Sequence, residues 1–260
     1  MTGLLLLHHP PAMSGAQHAW GSKPVVIDGV FRRRTDLGDE LPRPKMLVVK
    51  ESKEHAIFQR IRCGKTGEDP AKVGRLGLEG SMEFQRSLRA RDVQPLSQAN
   101  ERAVLVQVAA HLEKLREYAA TVDPPLRKPL PENMGPGSCG ENLFLDGGSD
   151  FHAGTVCIGD EFDIVRGHGE SQPEVVCRLQ VSSPRQPCSN CDLTFGQTFT
   201  PKGVRAQFAR SGMGGFFCRV LVEGTLHDGD VVRLAKRPNP KWSLERVSSL
   251  LYGNDVALMK

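Results

Sequence analysis

The chain has 260 residues, 39% of them hydrophobic and 25% charged, with 34 Lys and Arg against 30 Asp and Glu. That much apolar material fills one large or two small cores and argues against a disordered chain. A formal net charge of only +4, spread along the sequence, argues against a nucleic-acid binder, and no apolar run approaches the roughly 18–20 residues that span a bilayer.

Seven cysteines are an odd number, and the apolar run Leu4 to Leu7 is cut short by His8, His9, Pro10 and Pro11. Reduced thiols in an intracellular, cytoplasmic setting are therefore expected. The first 27 residues lack Asp and Glu but also lack Arg, so a mitochondrial location stands only as the alternative.

Residues 1–45 read as a poorly ordered, Pro-rich extension in which only Pro24 to Ile27 resembles a short strand. Within it Arg32, Arg33 and Arg34 are followed by Asp36, Asp39 and Glu40, the pattern of a solvated surface. The main domain is expected over 46–252, opening at Met46 to Val49, with 253–260 as a tail. A strand is predicted from Ala56 to Arg62, then turns around a short extended piece from Val73 to Gly80. Val104, Val108, Leu112, Leu115 and Ala119 recur at steps of three and four, which predicts a helix from Asn100 to Ala119, stopped by Asp123-Pro124-Pro125. Pro129, Pro131 and Pro136 make the following loop.

Beyond Gly140 the punctuation suits strands: Leu143 to Leu145, Val156 to Val165 with a turn at Gly159-Asp160, Val175 to Val181, Phe216 to Val222 and Val231 to Leu234. Val175, Cys177, Leu179 and Val181 share one face of theirs. Two further helices are predicted. Pro201 to Arg210 has Thr200 as its N-cap and Gly212 at its stop, and Ser243 to Tyr252 ends before Gly253. No internal repeat is visible. The sum is a mainly β domain with a few helices, α+β in class and barrel-like.

Several pieces carry chemistry together: Gly140-Glu141-Asn142-Leu143, Ile158-Gly159-Asp160, Pro184-Arg185-Gln186-Pro187-Cys188, Arg219-Val220-Leu221 with Gly229-Asp230, and Arg237 to Ser243. In order and spacing they resemble the MOSC domain family, named after the C-terminal part of molybdenum cofactor sulfurases, and most of all its small stand-alone bacterial members. The resemblance covers residues 61–247 and implies a MOSC-type β-barrel. Val181 would end a buried strand, and Pro184 and Pro187 restrict φ beyond it, so Cys188 is delivered at a fixed place. A thiolate is a soft donor suited to a thiophilic metal, and Arg185 beside it favours the deprotonated sulfur.

The resemblance implies that Cys188 ligates molybdenum in a molybdenum-pterin cofactor, as in relatives that reduce N-hydroxylated compounds. A cofactor phosphate needs guanidinium forks or backbone N–H groups, for which Arg185 and Arg219 are placed by motif and Arg89 is a further candidate. Asn142 would hydrogen-bond the pterin or hold its loop. The function implied is reduction of a small N-hydroxylated molecule. The chain has no G-x-G-x-x-G nucleotide fingerprint and no dense cysteine array, so an external redox partner would supply electrons. Pyridoxal phosphate, found in the larger sulfurases, is not expected.

Two alternatives stay open. Cys188-Ser189-Asn190-Cys191 is a C-x-x-C, so Cys188 as a persulfide acceptor resolved by Cys191 would make a sulfur carrier or cofactor-handling protein. The second is a non-catalytic scaffold, because Ser81 replaces an acidic residue of the bacterial members and Leu88 to Val93 stands where their H-G-G motif would be. The remaining cysteines, Cys63, Cys139, Cys157, Cys177 and Cys218, read as buried inert thiols. His111, inside the long predicted helix, is not a convincing base.

Overall fold

The computed structural model describes residues 20, 23–33, 60–63, 70–79, 100–126, 128–132, 134–167, 169, 173–187, 195 and 203–253. Chain order runs β1 (Val25–Arg33), β2 (Arg60–Cys63), β3 (Ala71–Gly74), β4 (Gly77–Leu78), β5 (Val104–Val108), α1 (Ala109–Thr121), β6 (Leu143–Asp146) and a 3-10 turn (Gly148–Asp150). It continues through β7 (Glu161–Arg166), β8 (Glu174–Pro184), α2 (Val204–Ser211), β9 (Phe216–Val222), β10 (Gly224–Leu226), β11 (Val231–Lys236) and α3 (Leu244–Tyr252).

Seven strands close on themselves in the order β1–β6–β5–β9–β8–β7–β11, with β11 pairing back to β1 through Val25 opposite Val232 and Val26 opposite Val231. Closure removes the open edge that an ordinary sheet leaves to solvent. Neighbours are antiparallel except β5 and β6, which run parallel and are joined through the α1 crossover. β2 hangs on β1, and β10, β3 and β4 form a small separate sheet.

Two expectations are corrected here. The strand seen at Pro24 to Ile27 runs on to Arg33 and is a stave of the barrel rather than an island in a tail. The helix expected from Asn100 to Ala119 is a strand followed by a helix: Val104 to Val108 is β5, and α1 starts at Ala109. All five residues of β5 are buried, so the two-residue alternation that would have marked it is missing, and its β-branched valines suit a strand. The β8 alternation is as predicted for Cys177, Leu179 and Val181, all buried, while Val175 is exposed at the strand's start. α2 begins after Gly203 and stops at Gly212 in the left-handed region, φ 74°. Met46 to Val49, most of the Ala56 to Arg62 strand and Thr200 lie outside the described residues.

The barrel interior is filled by Ile27, Val106, Leu145, Phe162, Ile164, Leu179 and Phe216, among others. A second apolar layer, with Leu112, Leu115, Phe144, Phe195 and Phe208, packs the helices against the wall. Full burial of side chains of this size contributes roughly 1.5–3 kcal/mol each.

The β7–β11 pair is locked at both ends by one device used twice. Asp160, just before β7, takes Nε and Nη2 of Arg237, just after β11, at 2.9 and 2.7 Å. Asp230, just before β11, takes Nε and Nη2 of Arg166, the last residue of β7, at 3.0 and 2.9 Å. Each aspartate also accepts the backbone N–H three residues earlier, Cys157 and His227 respectively. Each arginine also donates to a threonine carbonyl five residues before its aspartate, Thr155 and Thr225. Here is an internal repeat that composition hides: T-V-C-I-G-D and T-L-H-D-G-D share only three residues.

Candidate functional site

β8 carries the chain to the segment that the motif reading singled out. Beyond Pro184 the Arg185 N–H donates to Gly215 O at 2.9 Å, extending the β8–β9 ladder by one bond. Pro187 is buried against Gly214, where an added Cβ would stand 2.9 Å from its Cγ. Gly215, at φ 92°, leaves no room for a Cβ against Val106 O. The chain is therefore held up to the residue before Cys188. Cys188 itself, with Cys191, Arg89 and Arg91, lies outside the described residues.

Arg185 is 6% exposed, and its Nη1 donates to Cys139 O at 2.7 Å and to Gly214 O at 3.4 Å. The turn that supplies the Cys139 carbonyl is organised by Glu141, whose carboxylate accepts from Gly137 N at 2.5 Å and Cys139 N at 3.0 Å. Glu141 is fully buried, and charge-assisted bonds of this kind are the strong ones. Glu141 stands inside the G-E-N-L motif, whose spelling carries no sign of this role.

Asn142 holds strands together. Its Oδ1 accepts from Leu105 N at 2.9 Å, its Nδ2 donates to Phe31 O at 3.4 Å, and its backbone bonds the same two residues. Arg219 points outward from β9, between inward-facing Cys218 and Val220, and its Nη2 pairs with Glu101 at 2.5 Å. Gly214, beside Arg185, lies five residues from Arg219, roughly 16 Å of extended chain. The structure thus brings Arg185 against the Cys139 turn, three residues before Asn142, and sets Arg219 on the outer side of β9 against Glu101. Phe216 is fully buried in the core, while half-buried Phe217 lies under the Arg102 guanidinium at 5.3 Å.

A buried polar pair backs the same turn. Gln107 Oε1 accepts from Val108 N at 3.0 Å, which fixes the amide's orientation, so His111 Nδ1, 2.9 Å away, is the donor to that oxygen. Gln107 Nε2 donates to Met213 O and towards Cys139 Sγ, each at 3.2 Å. His111 is pushed down to about 3, first by burial and then by His152 and Lys114, and its bare Nε2 finds no partner among the described residues. The one polar letter in V-L-V-Q-V was the sequence signal for this pair.

The five described cysteines are all buried. Burial pushes Cys177 up to about 12 and raises Cys218 and Cys157 as well, so none of these three is poised as a thiolate. Among the described residues no three His, Cys, Asp or Glu side chains converge as metal ligands. The three candidates for a pterin phosphate are partly engaged within the chain: Arg219 Nη2 closes on Glu101 while its buried Nε has no partner among the described residues, both ends of the Asn142 amide bond the backbone, and Arg185 Nη1 donates to two carbonyls. No helix among them is long and apolar enough to cross a membrane.

A family model described as "MOSC domain" matches residues 93–233. A "Reductase" of Gibberella moniliformis is 33% identical over 130 residues, 50% of this chain and 20% of that protein. The "Uncharacterized protein YflK" of Bacillus subtilis is 30% identical over 152 residues, 58% of this chain and 56% of that protein. The chain therefore spans a fifth of one curated relative's length and just over half of the other's. The crystal structure of YiiM from Geobacillus stearothermophilus has the same fold, with a TM-score of 0.52 at 19% identity, over 91% of this chain and 89% of that one.

Proposed function

The chain belongs to the MOSC domain family, a family associated with the molybdenum cofactor, and on that premise we propose that it binds this cofactor through Cys188 and reduces small N-hydroxylated molecules. The observation that carries the reading is the fixing of the P-R-Q-P segment, with Arg185 tied to Gly215 and Pro187 packed on Gly214, up to the residue before Cys188. Similarity to a protein named a reductase supports a redox role, and electrons would come from a separate donor. When bound, the cofactor would supply the metal for the two-electron reduction. Of this chain's own residues, Cys188 offers a soft thiolate and Arg185 holds the turn that presents it. Asn142 and Arg219 serve the barrel in this reading, and phosphate contacts fall to Arg89 and its neighbour Arg91.

The test is molybdenum and pterin content of the full chain purified from a host competent in cofactor synthesis. Near-stoichiometric metal that is lost in Cys188→Ala supports the proposal, and metal-free, pterin-free wild-type protein overturns it. The engagement of Asn142 and of Arg219 Nη2 within the chain favours one second reading, a sulfur carrier with a Cys188 persulfide. Incubation with a cysteine desulfurase and its cysteine substrate would then add one sulfur to Cys188 by intact mass, and an unchanged mass would remove that reading.

A further inference from the structure

Away from the Pro184–Pro187 segment, a cleft of about 410 Å³ opens between the three helices, lined by Lys114, Glu117 and Tyr118 of α1, His152, Gly154, and Glu245 in the first turn of α3. Its size is that of ordinary small-molecule sites, about 300–1,000 Å³. Lys114, Glu117 and Glu245 have no ion-pair partner among the described residues. One ammonium and two carboxylates thus share one hollow without neutralising each other.

The floor of the cleft is built rather than incidental. Thr155 Oγ1 donates to Asp150 O at 2.6 Å and accepts from His152 N at 3.1 Å, and Glu245 N donates to Ala153 O at 2.9 Å, docking α3 on the loop. Gly154 N donates to His152 Nδ1 at 3.0 Å, so the neutral ring carries its proton on Nε2. A Cβ on Gly154 would stand 2.8 Å from Glu245 Oε2 and 2.8 Å from His152 Cε1, so bare backbone is what lets carboxylate and ring come together. Burial first, and then Lys114, hold His152 below its usual range against the opposing pull of Glu245 and Asp150. The imidazole is therefore a neutral N–H donor between an ammonium and a carboxylate.

We propose that this cleft binds a dibasic α-amino acid, with its carboxylate on Lys114 Nζ and His152 Nε2–H and its two protonated nitrogens on Glu245 and Glu117. The match is one for one: a ligand of net charge +1 meets a cleft whose three ionised groups sum to −1. An anion alone would face two uncompensated carboxylates, and a simple diamine would leave Lys114 repelling it.

Calorimetric titration of the full chain with L-arginine to about 10 mM tests this, with agmatine, which keeps the guanidinium and lacks the carboxylate, as the comparison. Saturable L-arginine binding about tenfold or more tighter than agmatine is expected. Lys114→Gln should bring L-arginine down to the agmatine level and leave agmatine unweakened, while Glu245→Gln weakens both about tenfold. These side chains are exposed, so the fold is retained in both variants. Absence of saturable binding, equal affinity for the two ligands in the wild type, or an indifferent Lys114→Gln overturns the proposal. The cleft uses nothing of the Cys188 segment, so Lys114→Gln leaves molybdenum content unchanged and each reading can fail alone.

Discussion

The Gly159-Asp160 and Gly229-Asp230 turns are built on one plan and set in different surroundings. Both glycines lie in the left-handed region, at φ 84° and 87°, and both aspartates take an arginine fork together with a backbone N–H. The Asp160 carboxylate is fully buried and Arg237 is 25% exposed, lying 5.8 Å from the Trp20 ring, whose indole N–H shares Thr155 O. Arg166, in the other clasp, is 35% exposed. An added Cβ on Gly159 would meet Asn239 Nδ2 at 2.8 Å and Pro238 Cγ at 2.9 Å, whereas one on Gly229 meets nothing. Each clasp also ties in a third strand by the same pair of bonds, Val181 of β8 to Gly159 and Asp160, and Ile27 of β1 to Gly229 and Asp230. The difference therefore lies in the cover alone: one hydrogen-bond pattern is repeated in full, once under Trp20, Pro238 and Asn239 and once with open space around its glycine.

Asp160→Asn breaks the comparison hardest: it strands the mostly buried Arg237 charge and should cost about 3–5 kcal/mol in urea unfolding. Asp230→Asn leaves Arg166 where water can reach it and should cost about 1–3 kcal/mol in the same measurement. Equal losses in the two variants would mean that the surroundings do not matter. The smallest effects sharpen the point. Gly229→Ala carries only the backbone penalty of roughly 1 kcal/mol, and Gly159→Ala adds a clash for a total of about 2 kcal/mol, read as a lower denaturation midpoint.

Much of the barrel was legible because its strands alternate or are bounded by turns: β9 is Phe216 to Val222 as read, and β8 shows its inward face in Cys177, Leu179 and Val181. β5 was hidden by its own burial. A strand covered on both faces loses its period, and Val104 and Val108 happen to fall four apart, in step with the real helix behind them. At the candidate site, motif order assigned Asn142 and Arg219 to a cofactor, and strand register gives both of them partners within the chain. Asn142 binds backbone of β1 and β5, and Arg219 binds Glu101, because hydrogen-bond partners are set by register across strands far apart in sequence. The clasps escaped notice for the same reason: each arginine comes from the strand opposite its aspartate, 77 residues away in one case and 64 in the other.

The stave from Val25 to Arg33 sits between β6 and β11, and it lies well upstream of residues 93–233, where the family match falls. A fragment cut to that match would strip the wall of its keystone, baring the flanks of Leu143–Asp146 and of what is left of β11 to any extended chain in solution. Such an excised piece is expected to self-associate, and expression trials on this protein should start no later than Trp20.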